Sequence, residues 1–449
     1  MKVILVVSFG PLLLNLSSTT VNVALDTLMA RFSVPLSTMQ WIVTGYLLAL
    51  TLVLPSFRFA VERLGSRRLY LYALFAFTVT SGLASCAWSA ASLIAFRVLQ
   101  GAVGGLLAPL TQTLIAQIAG PKRMGRAVAI ISIPVMSAPL LGPVIGGLLV
   151  QHLSWRFLFA FNVPLGLVGV WLAWRKLPEG NEATRSRLDW RGLALISPGI
   201  GLFTLAVSSL AHGRALSPRV ALPLVLAITL VTAFVLDARR RPMSALIDLR
   251  VFRHPAITAA LAAYLLASLG SFGAQLVLPL YFEQARGESA FRAGLLLAPQ
   301  GLGMLLSLPR IGRLTDRWGS GQVMIGGVVA NLLGTWVFTT LTDHTSYVLL
   351  GVALVVRGAG LGATSAPALA AAYKHLTRDE IPNATAAINI VQRLGAPLGT
   401  ATWAVMLQRF SAGTTNLARA FAHTFAVGMA ISALSLFAGF ALVKIGKGT

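Results

Sequence analysis

The sequence predicts an all-α polytopic membrane protein of fourteen spans, and three observations carry that reading. Of 449 residues, 56% are hydrophobic and 11% charged, against roughly 25% charged in an average soluble domain. Apolar stretches of about 20 residues, long enough to cross about 30 Å of hydrocarbon as a helix, follow one another along the whole chain. Short clusters of Lys and Arg stand between them, with a net charge of +23.

The first stretch, 3–25, stays apolar as far as Leu25, longer than the core of a cleaved signal, and is expected to remain in the membrane. Its Asn15, Ser17, Ser18, Thr19, Thr20 and Asn22 are too many hydrogen-bonding groups for a face on lipid, so they are expected to line a cavity. Span two, 39–57, adds Trp41 and Tyr46 to the lining candidates and ends at Arg58. Span three, 69–88, follows Arg67 and Arg68. It holds Cys86, the single cysteine, which leaves no partner for an intrachain disulfide or a Cys/His metal site.

Span four, 91–118, contains Arg97 and Gln100. A charge at the bilayer centre costs at least roughly 2.5 kcal/mol, so Arg97 needs compensation. In span five, 127–150, Gly142 and Gly146 put small residues at i and i+4 beside Pro143 and Gly147, which lets another backbone approach closely. Pro134, Pro139 and Pro143 are expected to bend that helix. Span six, 155–174, completes a first bundle.

A polar linker, 177–191, leads to spans seven and eight at 192–210 and 218–236. A second joint, 237–254, contains an alternating piece at 245–252 that is expected to lie along the membrane interface. The last six spans are 256–282, 291–309, 322–341, 346–372, 383–408 and 423–443. They supply Gln275, Asn389 and Gln392 as further cavity candidates, and Arg357 and Arg393 as further intramembrane charges. The expected division is 1–176, a six-helix bundle; 177–240, a linker with two extra spans; and 241–449, a second six-helix bundle.

Internal repetition supports the division. "VERLGSRR" from Val61 returns as "LTDRWGSG" from Leu314, with Gly65 and Gly319 254 residues apart. Arg97 and Arg357 are 260 apart, and "APLLG" from Ala138 is echoed 258 residues on by "APLG" from Ala396. Parallel repeats of this kind enclose a midplane cavity.

An even span count puts both ends on one side. With the N-terminus inside, the inner segments hold 25 Lys and Arg and the outer segments 8, so both termini are expected in the cytoplasm. Clusters split in this way, with no basic stripe interleaved with aromatics, exclude nucleic acid as a partner.

The loop Gly312, Arg313, Leu314, Thr315, Asp316, Arg317, Trp318, Gly319 resembles the G-x-L-x-D-R-x-G signature of the major facilitator superfamily. "VNVAL" from Val21, "QWIVTGYLLA" from Gln40, "RVLQGAVGG" from Arg97, "GPVIGG" from Gly142 and "SWRFLFAFNVP" from Ser154 sharpen the resemblance to its fourteen-spanner drug:proton antiporter family. It covers nearly the whole chain. It implies the major facilitator fold, two six-helix bundles plus two additional linker helices, in a bacterial inner membrane. It also implies gating loops at Glu62, Arg63, Gly65, Arg67 and at Gly312, Asp316, Arg317, Gly319. Gly142, Pro143, Gly146 and Gly147 become the antiporter motif, and Arg97 with Gln100 the proton-transfer motif. The first loop departs from the pattern with Glu62 as its acid and Arg58 in place of glycine.

A second departure concerns coupling. The family usually carries an acid four residues before "VNVAL", where this chain has Ser17, and none of the 13 Asp and Glu falls at a span centre. Asp26 and Glu283, toward outer helix ends, are the acids nearest the cavity. The expected function is proton-coupled efflux of small hydrophobic or amphipathic compounds by alternating access, with protons, a small-molecule substrate and the lipid bilayer as partners. An exporter of one endogenous metabolite and an uncoupled facilitator are the alternatives. Six scattered histidines show no metal-ligand spacing, and no P-loop is present, so neither an enzyme nor a cofactor or metal is expected. No obligate protein partner is inferred.

Overall fold

The computed structural model describes residues 2–119, 124–178, 188–211, 217–241, 246–342, 344–374, 376–377, 380–412 and 416–447. Backbone groups in hydrocarbon have only each other to bond, so the apolar runs fold as helices. Eleven helices among the described residues are long and apolar enough to cross a membrane. In chain order they are α1 Val3–Val23, α2 Leu36–Leu64, α4 Ala90–Ala119, α6 Phe157–Lys176, α7 Trp190–Leu210 and α8 Val220–Arg240. α9 Pro255–Ala285, α10 Phe291–Trp318, α11 Ser320–Thr340, α12 Tyr347–Lys374 and α14 Leu417–Ile445 complete the set.

Three more helices occupy the remaining apolar stretches: α3 Ser66–Ser85, α5 Met124–His152 and α13 Ile381–Ala412, of 20, 29 and 32 residues. They have the length of a span, but α3 begins on Arg67 and Arg68, and α13 carries Asn383, Asn389, Gln392 and Arg393. Within α5 the segment Arg126–Val135 stands out as apolar. Among the described residues eleven helices are thus long and apolar enough to span, fewer than the fourteen expected. Large side chains such as Leu222, Val348 and Phe437 are 71%, 77% and 74% exposed. Exposed apolar surface on this scale suits a bundle standing in lipid.

The repeat is visible in the backbone. Gly65 joins α2 to α3 at φ 76°, ψ 149°, and Gly319 joins α10 to α11 at φ 91°, ψ 155°. Both lie where a Cβ is strongly disfavoured, so the sequence echo preserves one turn twice.

Across the halves, α5 packs on α10 and α12, while α13 packs on α2 and α4. α7 and α8 pair with each other, and α7 also lies on α2 and α13, so the extra pair sits at the seam. One buried apolar cluster crosses between the halves, joining Leu110, Leu114 and Ile131 to Leu369, Tyr373 and Ile388. Two other clusters each belong to one half: Val21, Ile42, Leu93 and Phe159 in the first, Val277, Leu354, Trp403 and Phe425 in the second.

The bridged cluster lies at the end of the bundle that bears the two repeated loops. The start of α1 and the end of α14 lie there too. The Tyr70 hydroxyl, one turn beyond Arg67, donates to the Val7 carbonyl at 3.1 Å, and Gly321 lies against Val443.

Much of the linker, 179–187, lies outside the described residues, as does 242–245 of the second joint. The described part of the joint differs from the surface-lying piece that its alternation suggested. Leu246, Ile247 and Val251 are buried, with Leu246 and Ile247 clustered among α7, α8 and α13. Two hydrogen bonds hold it there: Asn383 Nδ2 donates to the Asp248 carbonyl at 2.9 Å and Asp248 N–H to Asn383 Oδ1 at 3.0 Å. A seam between helices buries more apolar surface than the interface offers.

Candidate functional site

The site is built around Arg97, which is wholly buried in α4. Its Nε donates to the Ile42 carbonyl at 3.2 Å, and its Nη1 donates to Ser17 Oγ at 2.9 Å and to Gln100 Oε1 at 2.7 Å. Its guanidinium lies 3.8 Å from the Tyr46 ring centroid and 5.8 Å from that of Phe159. Every one of these partners is neutral. Helices α2 and α4 come together here because Gly101, one residue after Gln100, lies directly against the Tyr46 carbonyl. A side chain at Gly101 would push α2 away and lift Tyr46 off the arginine.

The second half repeats the device. Arg357 of α12, also buried, donates to Gln300 Oε1 of α10 at 2.6 Å and to Thr335 Oγ1 of α11 at 3.3 Å. Two repeat-related arginines are thus clothed by amide and hydroxyl oxygens. A buried charge met only by dipoles keeps much of its desolvation cost, which for an ion in a protein is several kcal/mol.

The expected lining residues separate into groups. Ser17 and Tyr46 are buried in the Arg97 cluster, where Tyr46 Oη also donates to the Leu14 carbonyl at 3.2 Å. Asn15 and Thr19 are half-buried on α1, Asn15 donating to the Pro11 carbonyl at 2.8 Å and Thr19 to the Asn15 carbonyl at 2.9 Å. Asn22, Trp41 and Gln275 are exposed, and Gln392 is half-buried. Asn389 is buried elsewhere, at the bridge between halves. Its Nδ2 donates to Gln112 Oε1 of α4 at 2.7 Å.

Thr113 Oγ1 to Thr385 Oγ1 at 3.3 Å and Tyr373 Oη to Gln112 Oε1 at 3.5 Å complete that polar bridge. Gln112, Thr113, Tyr373 and Thr385 were not anticipated. The signal for Gln112 was there, an amide inside an apolar run.

The two coupling candidates are peripheral. Asp26 is exposed in the first turn of the short helix Leu25–Phe32, where a negative charge suits the helix N-terminus. Glu283 is half-buried in the widened turn Tyr281–Ala285 at the end of α9. Neither lies in the Arg97 cluster.

In the first loop, Glu62 pairs with Arg58 at 2.7 Å one turn earlier, so Arg58, standing in place of a glycine, holds the loop's acid. Arg67 Nη2 donates to the Trp174 carbonyl at 2.9 Å, tying α3 to the end of α6. Arg63, Asp316 and Arg317 are exposed, and Gly312 is buried in α10. In α5, Gly142 and Gly146 both face α1: a Cβ on Gly142 would run into the Thr19 side chain, and one on Gly146 would come within 2.9 Å of the Thr20 carbonyl. Gly147 has open space. The side chain of Pro143 lies outside the described residues. The motif glycines therefore clamp α5 to the polar stretch of α1 within one half.

A separate cavity of about 340 Å³, apolar but for Thr232, opens between α7, α8, α13 and the buried joint, lined by Ile200, Phe203, Val231, Ile247 and Ile390 among others. None of the polar candidates lines it. Among the described residues, no group of three or more His, Cys, Asp or Glu is placed to hold a metal ion.

Comparison with known proteins fits this architecture. The family model for the Major Facilitator Superfamily matches residues 7–400. The chain is 36% identical over 392 residues to the multidrug resistance protein B homolog of Mycobacterium tuberculosis, covering 87% of this chain and 73% of that one. It is 29% identical over 439 residues to the MFS-type transporter YcnB of Bacillus subtilis, covering 96% and 92%. Among solved structures, the proton:xylose symporter XylE superposes with a TM-score of 0.69 at 15% identity, covering 97% and 94%.

Proposed function

Because the chain belongs to the major facilitator superfamily, we propose that it is a secondary active exporter of small hydrophobic or amphipathic compounds, working by alternating access and coupled to protons. The family makes it a transporter, and relatives named for multidrug resistance favour drug-like cargo. In this reading all fourteen helices span a bacterial inner membrane. Residues 1–176 and 241–449 are the two rocking bundles, and 177–240 carries the extra pair. By the positive-inside rule the loop-bearing end, with both termini, faces the cytoplasm.

The observation that carries the proposal is the one-sided bridge. Gln112 of α4 and Asn389 of α13 hold the two halves together at the loop-bearing end, while the clusters Val21–Phe159 and Val277–Phe425 each stay within one half. Joined at one end and separately cored at the other is the arrangement a rocking transporter takes with its cytoplasmic side closed.

Proteoliposomes containing the purified chain, tested with an imposed pH gradient over cationic dyes, neutral drugs, organic acids and sugars, give the direct test. The proposal expects gradient-driven flux of at least one amphipathic compound and none of sugars. Flux of sugars alone would overturn it. One observation favours a second reading, an uncoupled facilitator: the hydroxyl of Ser17, which carries no titratable proton, occupies the contact with Arg97. Flux indifferent to the pH gradient would select that reading.

A further inference from the structure

Arg97 has five N–H donors. Nε uses one, and Nη1 uses two on Ser17 and Gln100. Nη2 is buried with no hydrogen-bond partner, and the same holds for Nε2 of Gln100 beside it. The Gln100 amide cannot turn to help, because its oxygen already faces the guanidinium and a flip would set donor against donor. Two adjacent groups, both fully buried, therefore present N–H bonds and lack an acceptor. Leaving such groups unpaired is costly, and most so beside a charge.

The charge is unbalanced as well. Among the described residues Arg97 makes no ion pair, and a second cation, Arg393 of α13, is within electrostatic reach of the Tyr46 phenol. Arg393 is half-buried and makes no hydrogen bond or ion pair among the described residues. One arginine comes from each half, and among the described residues neither makes an ion pair with a carboxylate. Water would satisfy the free N–H bonds of Nη2 but not the charge. A cation would be repelled. An anionic oxygen answers both deficits, and the rings of Tyr46 and Phe159 suit an apolar body attached to it.

We propose that the Arg97–Gln100–Ser17–Tyr46 cluster is an anion site that receives the carboxylate of a lipophilic organic acid. This rests on the exporter reading and names its substrate class. Chloride shares the chemistry, and the test separates the two sources.

Equilibrium binding of 2-naphthoate to the purified full-length chain is compared with that of its neutral amide and of a naphthylmethyl trimethylammonium ion. The acid is expected to bind at least about tenfold tighter than either, the discrimination of about one charge-assisted hydrogen bond. Ser17→Asp places a carboxylate on Arg97 and is expected to erase that preference without lowering the melting temperature. Ser17→Asn, which adds no charge, keeps the preference. Arg393→Gln weakens the acid several-fold and leaves the amide unchanged, which keeps the proposal testable if the Ser17 variants fold poorly. Displacement of naphthoate by chloride in the unmodified chain would assign the site to small anions, and indifference to chloride assigns it to the organic acid.

Equal affinity for acid and amide, or a Ser17→Asp variant that still prefers the acid, would overturn the anion site. If only cations are bound and transported, the anion site falls and the exporter stands. If naphthoate binds in the Ser17-sensitive way but nothing crosses the membrane, the site stands and the exporter falls.

Discussion

Ser17 and Arg97 meet at 2.9 Å, and that one contact alters what the residues around them can do. A carboxylate in the place of Ser17 would pair with the arginine and be a titratable group there, with burial raising its pKa and the guanidinium lowering it. A hydroxyl does neither. Arginine remains protonated, so Arg97 can only act on a neighbour. In the proposed exporter, coupling would use an acid away from Arg97, with Asp26 the leading candidate and Glu283 second. Asp26→Asn is expected to abolish the pH-gradient-driven part of the flux while leaving substrate counterflow intact, and Glu283→Gln to reduce it less. Gradient-driven flux that survives both substitutions together would remove both acids from the mechanism. Arg97 as an intramembrane charge was legible in the sequence. Its neutral partners were not, because hydrogen bonds between residues 80 positions apart, such as Ser17 and Arg97, depend on how α1 meets α4.

At the level of single helices, glycine spacing proved a good guide to approach and a poor guide to partner. The i, i+4 pair in α5 indicated close packing without saying against what, and the structure gives α1. Gly142→Val would force its new methyls into Thr19 and is expected to cost about 1–3 kcal/mol of packing strain. That would be read as a lowered melting temperature in detergent. Gly147→Ala, with nothing within 4 Å, is expected to leave it unchanged.

The two loop glycines make a stricter test of the repeat. Gly65→Ala and Gly319→Ala each place a Cβ at positive φ, at a cost of about 1–3 kcal/mol. They should lower the melting temperature by similar amounts. A large loss at one and none at the other would mean that the two turns are not equivalent. The buried joint at Leu246–Val251 shows where alternation misleads. A period of two says that one face is apolar, and it does not say whether lipid or protein covers that face.

Across the molecule as a whole, the helical bundle, the place of each apolar run and the internal repeat were readable from the chain. Length and hydropathy decide whether a segment can enter a membrane. The number of apolar spans was less readable: α13 carries Asn389, Gln392 and Arg393 among its apolar residues because it packs against the other half and the extra pair, not against lipid alone. The bridge was hidden for a similar reason, since Gln112 and Asn389 are 277 residues apart.

Orientation can be checked with the native chain, because Cys86 is its only cysteine, is exposed, and lies just beyond α3 at the end opposite the repeated loops. A membrane-impermeant maleimide is expected to label it in intact spheroplasts. Labelling confined to inside-out vesicles would reverse the topology.

Alternating access itself is tested most directly at the bridge. In a Cys86→Ser background, Gln112→Cys and Asn389→Cys put one thiol on each half where the side chains now touch, and a short bifunctional thiol reagent joins them. With the link formed, flux in proteoliposomes should fall to the level of empty vesicles, and cleaving it should restore the flux. Undiminished flux through a fully cross-linked protein would contradict a mechanism in which the two halves must part at that end.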